Sequence, residues 1–304
     1  MSGNRGPREI TLPNGMTILC QTRTEAGFIY EDIFVKEVYR RHGVSLADVR
    51  TVFDVGGNIG LFTLWVRQRC PRATVYTFEP APPLFQILRA NTASHGDAVR
   101  LFNRGLSSRP GTADFTFYFN SSGMSSFYAD LAEERQALEA ILRNQLRQGM
   151  EGMEGVMRHS EDLLEERFRF ETFTCQLDTL SRVIRDEGID RIDLLKIDVQ
   201  KSEEEVVLGI EPEHWERIRQ VVLEVHDVGG RLDRMTAALT ERGFQVVAEQ
   251  DDLYEESPIY NLYAVRPRAG GRASLGRVSE RGERLLAAVA RQRAELSKEG
   301  GPDA

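Results

Sequence analysis

Two short apolar runs with a glycine-rich turn between them constrain this 304-residue chain more than anything else in it. Thr51-Val52-Phe53-Asp54-Val55 is β-branched and aromatic, Gly56-Gly57-Asn58-Ile59-Gly60 follows at once, and Leu61-Phe62-Thr63 opens a helical pattern. The second run, Thr74-Val75-Tyr76-Thr77-Phe78, ends at Glu79. Strand, glycine turn, helix, strand and acid is the layout of a parallel β-α-β unit with a nucleotide-type site at its carboxyl edge. Glycines let backbone approach a ligand closely. An acid about 20 residues past the turn is placed to take a ribose diol.

The turn reads D-x-G-G-x-x-G rather than the G-x-G-x-x-G of dinucleotide sites. A carboxylate at Asp54 repels a phosphate but suits an ammonium, held through water or neighbouring amides. The cofactor that joins a ribose to a cationic amino acid is S-adenosylmethionine. The motif therefore predicts a methyltransferase with Asp54, Gly56, Gly57, Asn58, Gly60 and Glu79 around the cofactor. A nicotinamide enzyme and an ordinary tight strand-helix turn are the alternatives.

The rest of the chain extends the unit on both sides. Residues 1–9 read as disordered, and Ile10 to Cys20 as a hairpin around Pro13-Asn14-Gly15. The apolar spacing of Ile33, Phe34, Val38 and Tyr39 predicts a cap helix from Tyr30 to His42, ended by Gly43. Strands are expected at 51–55, 74–78, 99–103, 113–119, 170–177, 193–198, 221–226, 244–249 and 260–265. Helices are expected at 59–69, 82–94, 130–148, 178–187 (with Asp178 as N-cap), 203–209 and 231–242. The alternation implies an α/β fold with about seven strands in a doubly wound sheet. Three regions emerge: residues 1–50 as hairpin and cap, 51–267 as the cofactor domain with a lid insertion at 120–170, and 268–304 as a linker with a charged helix over 277–297. That helix is either a solvated tail or a docking or dimer element.

Ligands of open α/β sheets bind beyond the carboxyl ends of the strands. Asp54, Glu79, Asp198 and His226 all end predicted strands there. Charged groups at such positions are costly unless paired or wet, which favours a binding cleft. Of the five histidines only His226 follows a core strand, so it is the candidate general base for removing a hydroxyl proton. Glu224 shares its face and is expected to orient the ring or raise its basicity, with Asp227 as the substitute. A hydrogen-bonded structural histidine is the plainer alternative. Asp198 is a candidate for the methionine ammonium, the substrate hydroxyl or a metal, and Lys196, two residues earlier on the same face, is expected to pair with Asp198 or Glu224. Asn103 falls where an adenine edge would lie. Tyr30 or Phe28 is expected over the sulfonium, and Ser125 and Ser126 against substrate. Divalent metal is not expected, although Asp198, Glu224 and Asp227 are acids of the right kind.

Bulk properties remove other classes. A net charge of −8 argues against a sequence-independent nucleic-acid binder. No apolar run reaches membrane-span length, and the first residues lack the apolar core of a secretion signal. Cys20, Cys70 and Cys175 show neither metal-ligand spacing nor a disulfide framework. A cytoplasmic protein with reduced buried thiols is expected.

Four ordered segments resemble FkbM-type methyltransferases: Phe53 to Gly60, Phe78-Glu79-Pro80, Leu177-Asp178-Thr179-Leu180 and Ile192 to Val199. The resemblance runs from about residue 50 to 266. It is closer still to the O-methyltransferases of polyketide and nonribosomal peptide assembly lines, through Asn120–Tyr128, Lys196–Glu203, Val222–Asp227 and Tyr260–Ala264. Many family members read Val-Glu-Gly-x-Glu where this chain has Val199-Gln200-Lys201-Ser202-Glu203. The resemblance implies a class I methyltransferase fold and S-adenosylmethionine as cofactor, with S-adenosylhomocysteine as product and Pro80 beside Glu79 at the cofactor. It implies methyl transfer to a hydroxyl or enol of a small-molecule or carrier-protein-bound polyketide or peptide. A sugar or other small-molecule acceptor and a non-catalytic docking scaffold are the rival readings.

Overall fold

A computed structural model describes residues 6–147 and 167–267. The expected 277–297 helix and residues 148–166 of the segment expected as a lid lie outside the described residues. Along the chain come β1 (Arg8–Thr11), β2 (Thr17–Cys20), α1 (Arg23–Tyr30), β3 (Thr51–Val55), α2 (Leu61–Arg69), β4 (Thr74–Phe78), α3 (Pro82–Thr92) and β5 (Val99–Phe102). Then follow β6 (Gly105–Leu106), β7 (Gly111–Tyr118), α4 (Leu131–Arg147), β8 (Phe170–Asp178), α5 (Leu180–Asp186), β9 (Leu194–Ile197) and α6 (Glu203–Leu208). The chain closes with α7 (Pro212–Trp215), β10 (Gln220–His226), α8 (Arg231–Glu241), β11 (Gln245–Glu249) and β12 (Ile259–Val265).

Seven strands form one sheet in the order β11-β12-β10-β9-β3-β4-β5, the doubly wound arrangement that the alternation of strand and helix implied. β10, β9, β3, β4 and β5 are mutually parallel, whereas β12 runs antiparallel to both β10 and β11. Parallel strands covered on both faces are apolar throughout. β9 is buried at all four residues, and Val52, Phe53, Asp54 and Val55 are buried in β3. The carboxyl ends of β3, β4, β9 and β10 therefore share one edge, as the cleft rule requires.

Four local expectations are corrected. The strands expected at 113–119 and 170–177 leave the main sheet. They pair antiparallel with each other as β7 and β8, in a side sheet with β6. The cap helix begins earlier, at Arg23, because the Thr22 hydroxyl accepts from Glu25 N. It continues as a π-helical turn over Glu31–Val35 and ends there, with left-handed backbone at Glu37 (φ 48°) and His42 (φ 49°). Ile33, Phe34, Val38 and Tyr39 still pack into the core, so the periodicity found the right side chains but misplaced the helix. Thr179 rather than Asp178 caps α5. Asp178 instead pairs with Arg104 at 2.8 Å. Finally, the hairpin starts at Arg8, inside the stretch expected to be disordered. The three cysteines are free and buried. Among the described residues no helix is long and apolar enough to cross a membrane.

Candidate active site

The glycine turn is shaped first by its protein neighbours. Gly56 and Gly57 donate their amides to the Phe78 carbonyl at 3.0 and 2.8 Å, which ties β3 to β4. Gly56 has φ +84°, and a Cβ there would lie 1.8 Å from the Asp198 carbonyl oxygen. A Cβ on Gly57 would lie 2.4 Å from Thr77 Cγ2. Gly60 takes φ 93° as the residue before α2. Glu79 accepts from Asn58 N at 2.8 Å through one carboxylate oxygen and from Ala81 N at 2.9 Å through the other. Burial pushes its carboxyl up to about 7, against the pull of those two amides. Asn103 donates to the Glu79 and Pro80 carbonyls, at 2.8 and 3.1 Å.

Beyond this edge lies a cavity of about 1300 Å³. Gly56, Gly57, Asn58, Glu79 and Pro80 line one part of it. Asp198, Glu224 and His226 line another, and Ser125 and Ser126 a third. Four expected site residues are not on its wall. Asp54 is fully buried and sealed: the Thr63 hydroxyl lies 2.7 Å from one carboxylate oxygen and Lys196 Nζ 3.2 Å from the other. Lys196 also donates to the Gly56 carbonyl at 2.6 Å. Asp54 thus anchors the turn from beneath instead of meeting a ligand ammonium. Burial pushes the Asp54 carboxyl up. The same burial would lower Lys196, yet Asp54 and Asp198 hold its ammonium above the ordinary value. The pair is ionised, because Lys196 has charge-assisted contacts with Asp54 and Asp198 on both sides. Gly60 belongs to the helix start, and Asn103 braces the Glu79 turn from outside. Tyr30 stacks on Phe34 with ring centroids 5.0 Å apart, and it is Phe28 that reaches the cavity.

The polar end has an arrangement that strand-end reasoning captured only in part. His226 lines the cavity with its Nδ1 2.9 Å from Glu203 Oε1. Glu203 is fully buried at the start of α6. The orienting carboxylate is therefore neither Glu224 nor Asp227. Glu224 accepts from Gln200 Nε2 at 3.0 Å, and Asp227 accepts from Leu232 N at the start of α8. The same Gln200 amide reaches Asp198 at 3.3 Å, and Tyr39 OH donates to the other Asp198 oxygen at 3.0 Å. Burial and the neighbouring Asp198 charge push Glu224 up to about 8, partly offset by His226. Burial alone would lower His226, but Glu203, Glu224 and Asp198 outweigh it and hold the ring above the ordinary imidazole value. Glu203 and Tyr39 were missed because neither ends a core strand. Their one sequence signal was Glu203 standing at the last position of the Val199–Glu203 segment. Among the described residues no group of three or more His, Cys, Asp or Glu side chains converges as a metal site.

Helix α1 and the loop at 121–126 are joined above the turn. Glu25 of α1 accepts from Gly123 N at 2.7 Å and from the Ser122 hydroxyl at 3.0 Å. Ser122 in turn accepts from Asn58 Nδ2 at 3.3 Å. Ser125 and Ser126 serve this loop rather than pointing freely at a ligand. Ser125 Oγ accepts from Tyr118 N, and Ser126 Oγ donates to the Gln200 carbonyl. Hydrogen bonds to a charged group contribute about 1.5–3 kcal/mol. Glu25→Ala is therefore expected to speed hydrogen exchange at the Gly123 amide about 10-fold or more, with the β3 amides unchanged. Unchanged protection of Gly123 would show that the clasp does not hold the loop.

Comparison with known proteins identifies the family. Residues 54–246 match the methyltransferase FkbM domain. The chain is 42% identical over 257 residues to 31-O-demethyl-FK506 methyltransferase FkbM of Streptomyces tacrolimicus, covering 84% of this chain and 96% of that protein. It is 40% identical over 266 residues to AMB antimetabolite synthetase AmbE of Pseudomonas aeruginosa. That match covers 85% of this chain but only 12% of the much longer synthetase. It is also 33% identical over 240 residues to methyltransferase sdnD of Sordaria araneosa, covering 75% of this chain and 86% of that protein.

Proposed function

This chain belongs to the FkbM methyltransferase family, and on that premise we propose that it is an S-adenosylmethionine-dependent O-methyltransferase. Its acceptor is a hydroxyl or enol on a polyketide or nonribosomal peptide, either a carrier-bound intermediate or a released product. The observation that carries the reading is that His226, held by Glu203, lines the same cavity as the glycine turn and Glu79. The relatives' names, a demethyl-FK506 methyltransferase and an antimetabolite synthetase, support the acceptor class.

The residues present fit the cofactor. The turn leaves bare backbone at Gly56 and Gly57, and Glu79 faces the cavity with a carboxylate that two hydroxyls suit. Gly56, Gly57, Asn58, Glu79 and Pro80 would hold it, with Asp198 toward its ammonium and Phe28 toward its sulfonium. When bound, S-adenosylmethionine supplies a methyl group on a cationic sulfur and leaves as S-adenosylhomocysteine. The chain does the rest. His226 Nε2 takes the hydroxyl proton. The apolar faces of α1 with its π-helical continuation and of α4 exclude water, with Phe28 and Ile33 on one side and Leu138 and Ile141 on the other. We further propose residues 120–170 as a lid, of which 120–126 and α4 line the cavity. A cytoplasmic location, no membrane or nucleic-acid partner, and docking or dimerisation through 277–297 complete the proposal.

Calorimetry with S-adenosylhomocysteine and with NAD tests the cofactor. Ribose hydroxyls stabilise the ionised form of Glu79, whose carboxyl in the free protein sits at about 7. A ligand that favours the deprotonated group lowers its pKa, so affinity rises with pH up to that value and is flat above it. Binding of S-adenosylhomocysteine is expected to tighten several-fold from pH 6 to pH 8, and Glu79→Gln is expected to flatten the dependence. Binding of NAD in its place would reject the methyltransferase reading. Turnover of a carrier-loaded acyl substrate against its free acid then separates the acceptor classes. Turnover of a free sugar alone would favour the small-molecule alternative.

A further inference from the structure

The geometry points to Glu203 and Arg231 as a positioning pair that decides which nitrogen of His226 faces the cavity. This rests on the reading of His226 as the base and deepens it. Three elements meet at one carboxylate: His226 ends β10, Glu203 starts α6 and Arg231 starts α8. Glu203 Oε1 is 2.9 Å from His226 Nδ1 and accepts from Lys201 N at 2.8 Å. Glu203 Oε2 accepts from Arg231 Nη1 at 3.1 Å, and the same nitrogen donates to the His226 carbonyl at 3.1 Å.

An ionised carboxylate can only accept. Facing Glu203, Nδ1 must therefore carry the hydrogen, and the neutral ring then keeps its lone pair on Nε2. That is the tautomer a base needs if it is to meet substrate through Nε2. The hydroxyl proton passes to Nε2, the oxygen uses the freed O–H pair for its new bond to the methyl carbon, the carbon–sulfur bond would break with its pair going to the sulfonium sulfur, and the Nδ1 hydrogen stays on Nδ1, donated to Glu203.

Arg231 answers a second requirement. A fully buried Glu203 with His226 as its sole cationic partner would favour a permanently charged ring, which cannot accept a proton. Arg231 supplies the compensating cation, so the ring is free to rest neutral. Other groups around the ring push the opposite way. Glu224 on β10 and Asp198 beyond β9 both favour the charged ring. Asp227, next in sequence, accepts from Leu232 N. Glu204 lies 3.8 Å from Arg231 Nε and pairs more closely with Arg234.

The opposing roles make a signed test. The His226 ring is titrated by NMR in the wild type, Glu203→Gln and Arg231→Gln, alongside pH profiles of turnover and S-adenosylhomocysteine affinity. In Glu203→Gln the His226 midpoint and the acid limb of turnover are expected to fall by about one pH unit. Turnover drops at least 10-fold because the tautomer is no longer enforced, and Glu203→Asp recovers part of it. In Arg231→Gln both are expected to rise, so that activity lost at neutral pH returns at higher pH. Cofactor affinity stays within about twofold in each. Midpoints that do not move, or that move the same way in both variants, overturn the pairing even if His226→Gln is inactive. An active His226→Gln instead rejects the base itself, while the NMR midpoints still judge the pairing. If Glu203→Gln fails to fold, the direction seen in Arg231→Gln and Glu203→Asp decides.

Discussion

His226→Gln is expected to bind S-adenosylhomocysteine within about twofold of the wild type while its turnover falls about 10²- to 10⁴-fold, the usual contribution of a positioned general base. Glutamine keeps a polar group next to Glu203 and roughly the same volume, so the buried carboxylate is not left alone at the end of β10. The acid limb of the wild-type profile is expected above the ordinary imidazole value, because Glu203, Glu224 and Asp198 together hold the ring up against burial. A base is active when neutral, so activity rises with pH through that limb, and the limb disappears with the histidine. Steady-state rates from pH 5.5 to 9.5 with calorimetric controls check this. Retained turnover with an authentic acceptor would remove His226 from the chemistry and leave the plainer reading of a structural histidine.

Gly56→Ala is expected to damage the fold as much as the site. Its φ of +84° already disfavours a side chain, and the added Cβ would sit 1.8 Å from the Asp198 carbonyl oxygen. That neighbour is backbone, so relief requires moving the β9 end against β3. Backbone strain plus this overlap is expected to cost about 3–5 kcal/mol, lowering the melting temperature by about 10 °C. Gly15 is the control, since its φ is +83° and a Cβ there would meet nothing within 4 Å. Gly15→Ala carries the conformational penalty alone, about 1 kcal/mol. Equal melting temperatures for the two variants would contradict the close approach of Asp198 to the turn. Because Asp198 lines the cavity, a shift of its backbone is also expected to weaken cofactor binding more than the stability loss explains.

Much of the architecture was legible because its determinants are local. The Thr51–Gly60 run, the Thr74–Glu79 run and the alternation of strand and helix follow from side-chain periodicity and glycine backbone freedom within a few residues. Where a competing local feature decided the outcome, the reading slipped. Thr22 moved the cap helix upstream, and the left-handed residues Glu37 and His42 ended the apolar pattern that had suggested a later one. Thr179 outcompeted Asp178 as a cap because Asp178 had a stronger partner in Arg104.

The sequence by itself determined which strands end in polar groups, and hence that Glu79, Asp198 and His226 share one edge, because strand order and direction follow from right-handed crossovers. Only the tertiary structure decided what each group does there. Lys196 rises from β9 beside β3 and closes over Asp54, turning a candidate ligand residue into a buried anchor. Glu203 and Arg231 arrive at His226 from two helices separated from it by loops, and take the place expected for Glu224. The reason is physical: a charged side chain pairs with whatever partner the packed sheet brings within about 4 Å, and that partner is chosen by sheet order in space.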